Sequence, residues 1–294
     1  MKFGASIYSI SRKILSNEIT PEEGVTWLGE NGAEVIEIVP FGIDIINTKG
    51  LTDCLLKAAE KANTSIANYS LNANFLRISD IEYNDEINRV KSHIDAAAIL
   101  GVPTIRIDCA GYRLPVVDNT TENFQKELPL VLDTYKRLCE YAGSYNLTVL
   151  LENHGFHLNG SERVRQILTS MDCEIGLGHQ LDTGNFLCTD DCAIAAVKKL
   201  IDFATTIHMK DFYIRTKDPG DATEFDCSGS WFRSVAGKYL RGSILGQGDL
   251  DIIEIINQIK KSQFNGNIFI EFEGMEDCLY GTKVSLDNLK RIWG

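Results

Sequence analysis

Short apolar runs alternate with longer amphipathic stretches along the whole chain. The runs predict strands at Lys2–Ser9, Val35–Val39, Ser65–Ser70, Thr104–Asp108, Thr148–Glu152, Ile175–Asp182, Thr205–Lys210 and Asn267–Phe272. The stretches between them carry helix signals. Thr20-Pro21-Glu22-Glu23 supplies a cap, a proline for the first turn and acids beside the positive end of the helix dipole. Glu82–Leu100 has apolar residues at helical spacing, at Ile87, Val90, Ile94, Ala97 and Ala98. Pro129–Tyr145, Ser161–Met171, Asp191–Leu200 and Leu250–Ser262 follow the same period.

Strand and helix in strict alternation predict parallel βα units, and eight of them predict an α/β fold, a closed (β/α)8 TIM barrel in one domain over residues 1–294. An open doubly wound sheet would carry a glycine-rich turn after its first strand, whereas this chain has Ser9-Ile10-Ser11-Arg12 there. One stretch breaks the rhythm. Residues 212–248, between the seventh and eighth strands, read as a long loop with Phe225, Trp231, Phe232 and Tyr239 in it. Long loops in barrels serve function, and these aromatic rings argue for order.

Composition narrows the function. The net charge is −12, opposite to the basic surface that binds phosphate backbones, so a small neutral or weakly charged substrate fits better than a nucleic acid. No apolar run approaches the ~20 residues of a membrane span. The opening Met1-Lys2-Phe3-Gly4-Ala5-Ser6 reads as a strand and not as a secretory leader, which points to the cytoplasm. The eight cysteines show no CxxC pair and are expected as reduced, mostly buried thiols. Neither GxGxxG after a strand nor GxxxxGK[ST] is present.

In this fold chemistry gathers at the C-terminal ends of the strands. The fifth strand ends in Leu150-Leu151-Glu152-Asn153-His154, the sixth in Gln180-Leu181-Asp182-Thr183-Gly184-Asn185, the seventh in Ile207-His208-Met209-Lys210-Asp211 and the eighth in Phe269-Ile270-Glu271-Phe272-Glu273-Gly274. Neighbouring strands lie ~4.8 Å apart, so Glu152, Asp182, His208 and Glu271 can converge. Three carboxylates crowded together without a cation would be costly. With one imidazole they suit Mn2+, Mg2+ or Co2+ better than a closed structural zinc, and leave coordination positions for substrate oxygens.

Glu152 in LLENHG, Asp182 in LDTGN, His208 in IHMKD and Glu271 in IFIEFEG resemble the xylose isomerase-like superfamily of sugar isomerases and epimerases, and GQGDLDI at Gly246–Ile252 is similar to its glycine-acid turn. The resemblance spans essentially the whole chain. It implies one divalent ion, Mn2+ first and Mg2+, Co2+ or Zn2+ as alternatives, held by Glu152, Asp182, His208 and Glu271. It implies further that Glu152 and Glu271 are the paired acid and base that move a proton beside a carbonyl through an enediolate. Related enzymes are often dimers or tetramers, which leaves a homo-oligomer open, although no segment announces an interface.

Several further residues are candidates for the substrate pocket. Asn185 stands where ketose epimerases place a substrate-binding histidine. His154 lies on the face of Glu152, and Lys210 on that of His208; each contacts substrate or satisfies a protein group. Arg215 and Arg241 flank the long stretch and are candidate substrate contacts. Glu37 and Asp108 end the second and fourth strands and are expected to line the pocket. Arg106 faces either the barrel or the helix layer, Asp211 reads as structural, and Trp231 and Phe232 either cover a sugar face or pack the loop. Two other chemistries remain open: a lyase that uses the same site to expel a β-leaving group, and an endonuclease IV-type phosphodiesterase. The latter needs further histidines that the second, third and fourth strands lack.

Overall fold

The computed structural model describes residues 1–111, 115–171, 176–220, 222–223 and 229–294. Strands β1 (Phe3–Ser6), β2 (Val35–Ile38), β3 (Ser65–Leu71), β4 (Thr104–Ile107), β5 (Thr148–Glu152), β6 (Gly178–Asp182), β7 (Ala204–Met209) and β12 (Asn267–Ile270) form a closed barrel in the order β1-β12-β7-β6-β5-β4-β3-β2. All eight pairings are parallel, and β12 closes the ring on β1 with Ala5 opposite Ile270. The expected (β/α)8 barrel is therefore present. Its first strand is shorter than expected, because Ile7–Ile10 turn into a 3-10 helix capped by the Ser6 side chain. The expected start of the sixth strand at Ile175 lies outside the described residues.

The helix layer consists of α1 (Ser11–Leu15), α2 (Pro21–Glu30), α3 (Leu51–Lys61), α4 (Asp80–Ile99), α5 (Thr121–Gly143), α6 (Ser161–Ser170), α7 (Ala193–Leu200), α8 (Ile252–Lys261) and α9 (Cys278–Trp293). α2 opens on the expected Thr20 cap, where Thr20 and Glu23 form a reciprocal capping box. α4 starts before Glu82 because Ser79 is the true cap and Glu82 closes its box. α5 begins at Thr121, so Pro129 lies inside the helix and does not start it. A proline costs the interior one backbone bond, which is why it reads as a boundary. α3 and α9 were not predicted. The buried face of α9 is Cys278, Gly281, Thr282, Ser285, Leu286 and Leu289, too small and polar to show an apolar period.

The described residues of 212–248 do not form a loop. They hold most of a second sheet, of order β8-β11-β10-β9, from β8 (Asp211–Arg215), β9 (Ala222–Thr223), β10 (Trp231–Arg233) and β11 (Tyr239–Ser243). Phe212 and Leu240 pack with Phe156 and Cys188 on its inner face, with Ile214 and Phe232 beside them. The expected contribution of Phe225 lies outside the described residues.

Inside the barrel, Val35, Ala67 and Phe269 form a small apolar cluster. His208 meets Phe269 edge to face, and from there towards the strand ends the interior is polar. Among the described residues no helix is long and apolar enough to cross a membrane. The described cysteines are free thiols, with Cys54 and Cys192 exposed and Cys109, Cys139, Cys188 and Cys278 buried.

Candidate metal centre

Glu152 and Asp182 are the last residues of β5 and β6, His208 lies one residue before the end of β7, and Glu271 follows β12 directly. One ligand atom from each of these four residues lies within 4.8 Å of the other three. Nδ1 of His208 is 3.2 Å from Glu152, 3.5 Å from Glu271 and 3.8 Å from Asp182.

Several contacts aim the carboxylates. Asp182 Oδ1 accepts the backbone N–H groups of Gly184 and Asn185, each at 2.8 Å. Gly184 is required in this turn: a Cβ there would come within 2.9 Å of the Phe212 ring and 3.0 Å of the Lys210 side chain. Asn153 joins β5 to β6, donating to the Asp182 carbonyl and accepting its N–H, both at 2.9 Å. Asp211 accepts from the N–H groups of Phe212, Gly246, Gly248 and Leu250, which ties the GQGDL turn to the end of β7. Burial nevertheless pushes its carboxyl up to about 6, against those four donors.

A polar layer lies within the barrel and was only partly foreseen. Nε2 of His208 is 3.0 Å from both oxygens of Glu37. Glu37 also accepts from Asn68 and Ser70, and Gln180 accepts from Asn68 and Thr206. Glu37 is fully buried here and is not in the wall of the cavity, which corrects the expectation that it lines the pocket. The signal for this layer is visible in retrospect: Asn68, Ser70 and Gln180 are polar on strands buried throughout their middles.

Arg106 faces the barrel. Its Nη1 is 3.0 Å from Asp108 and its Nη2 is 2.5 Å from Glu152. Asp108 also holds Nδ1 of His154 at 2.9 Å. Asp108 is thus a bridge between Arg106 and His154, and it too is absent from the cavity wall. Lys210 Nζ lies 2.6 Å from Glu271, 3.2 Å from Glu273 and 3.5 Å from Asp182, and it donates to Asn185 Oδ1 at 3.2 Å.

Charge follows from this geometry. Burial opposes ionisation of His208, but Glu37 and Glu271 outweigh it and raise the ring well above its usual value. Burial likewise opposes the charge on Lys210, and Asp182, Glu271 and Glu273 more than restore it. Glu271 is held well below the usual carboxylate range, because Lys210 and His208 overcome its burial. Asp182 goes the other way. Burial, helped by Glu152 and Glu271, pushes it up to about 7 despite Lys210. Asp108 raises His154 against burial.

The cavity above the four residues has a volume of about 110 Å³. Its wall includes the rings of Tyr8, Phe41, Phe156, Phe212 and Phe232, and the polar groups Arg106, His154, Asn185, Lys210, Glu271 and Glu273. His154, Asn185 and Lys210 are where the sequence placed them. Tyr8, Phe41, Phe156 and Glu273 were not anticipated; Tyr8 lies in the 3-10 turn that replaces the end of the expected first strand, and Phe41 and Phe156 sit outside the strands, where no period marks them. Arg215 and Arg241 do not reach the cavity. Arg215 pairs with Asp249 at 2.9 Å, and Arg241 lies over the rings of Trp231 and Tyr213 at 4.8 and 5.1 Å. The outward face of β8, β10 and β11 carries them, which corrects their assignment as substrate contacts. Trp231 belongs to that stack, while Phe232 lines the cavity.

The residues fit a divalent cation. Both Glu152 oxygens and Asp182 Oδ2 are buried without a hydrogen-bond donor; the Arg106 contact to Glu152 is close but off the hydrogen-bonding direction. Such orphaned oxygens are costly unless a cation satisfies them. Around the site, the carboxylates of Glu37, Asp108, Glu152, Asp182, Glu271 and Glu273 outnumber Arg106, Lys210 and the two imidazoles by two charges even with both rings protonated. Three carboxylates and one imidazole form a hard, oxygen-rich donor set.

The family described as xylose isomerase-like TIM barrel matches residues 25–292. No curated protein matches the chain. Among solved structures, the IolI protein with a bound zinc atom superposes with a TM-score of 0.75 at 15% identity, covering 100% of this chain and 98% of that one. The probable 3-DHS dehydratase AsbF of Bacillus anthracis gives a TM-score of 0.74 at 18% identity, with 99% of both chains covered. The 3-keto-D-glucoside 4-epimerase YcjR of E. coli gives 0.69 at 15%, again with 99% of both covered. At such identities the likeness is one of fold.

Proposed function

Because the chain belongs to the xylose isomerase-like TIM barrel family, we propose that it is a divalent-metal-dependent enzyme moving a proton at the carbon beside the carbonyl of a sugar or sugar-like substrate, as an isomerase or epimerase. The observation that carries this reading is the convergence of Glu152, Asp182, His208 and Glu271 within 4.8 Å, with buried oxygens that no donor satisfies. These four residues would hold the ion, with Mn2+ the first candidate and Mg2+, Co2+ and Zn2+ the others. When bound, it would stabilise the negative charge that develops on the carbonyl oxygen as the proton leaves.

The chain's own groups divide the remaining work. Glu152 and Glu271 come from strands on different sides of His208, and each offers a carboxylate to take or return a proton. Return on the opposite face gives an epimer; delivery to the neighbouring carbon gives an isomer. Asp182 is a poorer proton carrier, since one of its oxygens is committed to two backbone N–H groups. Asn185 Nδ2 is buried without an acceptor in the cavity wall and suits a substrate hydroxyl. The rings of Tyr8, Phe41, Phe156, Phe212 and Phe232 would limit access of water to the reacting carbon.

One observation keeps a lyase on the same site in view. His154 lines the cavity and Asp108 favours its charged form, so it can protonate a departing hydroxyl. A single experiment separates these outcomes. Chelator-stripped protein, reloaded with each ion and incubated in D2O with ketoses, aldoses and inososes, is followed by NMR. Metal-dependent deuterium entry beside the carbonyl supports proton transfer, and the product distinguishes epimer, isomer and dehydrated ring. Absence of metal binding by the wild-type protein would overturn the proposal.

A further inference from the structure

A second cavity lies beside the first and has no part in the proton transfer. Its volume is about 450 Å³, against about 110 Å³ on the metal side. The two share Val39, Phe41 and Asn72 in their walls and so lie side by side. The second cavity is bounded by the segment after β2 and by α4. Volumes of ~300–1,000 Å³ are typical of small-molecule sites. The metal-side space is the smaller of the two, and the roomier compartment is available for a further part of the substrate.

Its lining indicates what that part is. Phe41, Ile43, Ile45, Ile46 and Leu71 make an apolar wall. Phe41 and Ile46 are 40% and 42% exposed, a cost in water that a covering ligand would remove. The polar lining includes Asn47, Ser92 and His93. Asn47 Nδ2 donates to Asp44, Ser92 Oγ to the Asn88 carbonyl, and His93 Nδ1 pairs with the Tyr69 hydroxyl, so what each can offer a ligand is the amide oxygen, the hydroxyl lone pairs and the second ring nitrogen. A lining that mixes apolar surface with such groups suits a sugar ring.

The lining also disfavours an anion. Arg89 is the cation in this wall, and its guanidinium is committed to Glu86 at 2.7 and 2.9 Å and to the Asn72 carbonyl at 2.7 Å. Burial, with Arg89 beside it, lowers His93 to about 4, so its ring is neutral at pH 7. On the metal side Arg106 and Lys210 are already paired with carboxylates. Phosphate recognition requires uncommitted cations or a row of backbone donors, and neither is present among the described residues lining the two cavities.

We propose that the second cavity is a subsite for a second, uncharged sugar ring, so that the substrate is a keto-sugar glycoside and not a free or phosphorylated monosaccharide. This rests on the proton-transfer reading of the metal site and extends it. The test compares metal-dependent deuterium incorporation into the 3-keto derivatives of methyl glucoside and of maltose, with 3-keto-glucose 6-phosphate as a third probe. Ser92→Trp and Asn47→Trp, both at exposed positions, fill the second cavity without touching the metal ligands. The two-ring substrate is expected to show a kcat/KM at least about tenfold above the one-ring substrate, a factor worth ~1.4 kcal/mol. Each variant should remove that advantage and leave the one-ring rate unchanged. Equal rates on one and two rings with silent variants, or preference for the phosphate, would overturn the subsite while leaving the proton-transfer reading intact. If none of the keto-sugars exchanges, that reading fails. Calorimetry with unoxidised maltose and methyl glucoside then decides the subsite alone: tighter maltose binding, lost in Ser92→Trp, supports it, and equal binding overturns it.

Discussion

Nε2 of His208 lies 3.0 Å from each oxygen of Glu37, and both side chains are fully buried. A carboxylate can only accept, so the Nε2 proton points at Glu37. That leaves the Nδ1 lone pair, in the neutral ring, directed at Glu152, Asp182 and Glu271. Under the proposed function Glu37 would therefore be a positioning residue for His208, although it stands on β2, separated from β7 by β1 and β12.

The first prediction follows directly. Glu37→Gln keeps the shape and one acceptor but removes the charge that orients the ring. Partners of this kind change metal affinity by about 10–100-fold. Titration of the stripped protein with Mn2+ by calorimetry should show a loss of that order, with the fold intact by circular dichroism. Wild-type affinity in the variant would mean that the polar layer does not set the tautomer.

Glu152→Gln and Glu271→Gln should each slow metal-dependent deuterium exchange by about 10²–10⁴-fold, the usual contribution of a positioned acid or base. If one glutamate abstracts and the other returns the proton, the variants will differ in kind. Loss of the abstracting group stops exchange and turnover together. Loss of the returning group allows substrate deuteration to outlast product formation. Equal residual rates in both variants and in the wild type would show that neither carries the proton.

Asp182 makes a stability prediction with a definite sign. Its carboxyl is raised to about 7 in the metal-free fold, from a usual value of 3.8, first by burial and then by Glu152 and Glu271. The folded state therefore holds this proton more tightly than the unfolded state. The site is neutral to stability below about 4 and increasingly destabilising as the pH rises through 7. Metal-free Asp182→Asn should be more stable than the metal-free wild type at pH 8, and the difference should fade towards pH 4. Added Mn2+ should reverse the order at pH 8, since only the wild type gains the ion. Denaturant unfolding with and without chelator measures both effects.

Much of the centre was legible because the barrel repeats one rule. Glu152 and Asp182 end their strands, His208 lies one residue before the end of its own, and Glu271 follows one directly, so their height at the strand ends can be read from sequence alone. The rule fails where facing depends on register between strands. Glu37 obeys the same pattern, yet a register shift between Ile36 and Glu37 separates β2 from ideal pairing with β3, and the carboxylate points beneath His208. Arg215 and Arg241 failed for another reason. Their segment was read as a loop, and its alternation is that of a sheet whose outer face carries them away from the cavity. Phe41 and Phe156 reach the cavity from outside the strands, where no periodicity exists to reveal them.

His179 offers a prediction unconnected with the metal. It lies on β6 between Gly178 and Gln180, and it is fully buried with neither ring nitrogen hydrogen-bonded. Burial alone lowers its pKa from 6.5 to about 3. The unfolded chain then binds this proton more readily than the folded one, so its titration costs nothing above about pH 6.5 and destabilises progressively as the pH falls towards 3. The slope is about 1.4 kcal/mol per pH unit while only the unfolded state is charged. A neutral imidazole also forfeits its water contacts without replacement, which costs about 1–3 kcal/mol. His179→Leu is similar in volume and has no polar atom to strand. It should raise unfolding stability at pH 7 and flatten the acid limb of the stability profile between pH 6.5 and 4, while leaving Mn2+ affinity unchanged. A variant less stable than the wild type at pH 5 would show that the ring has a partner in solution and that its burial is not a cost.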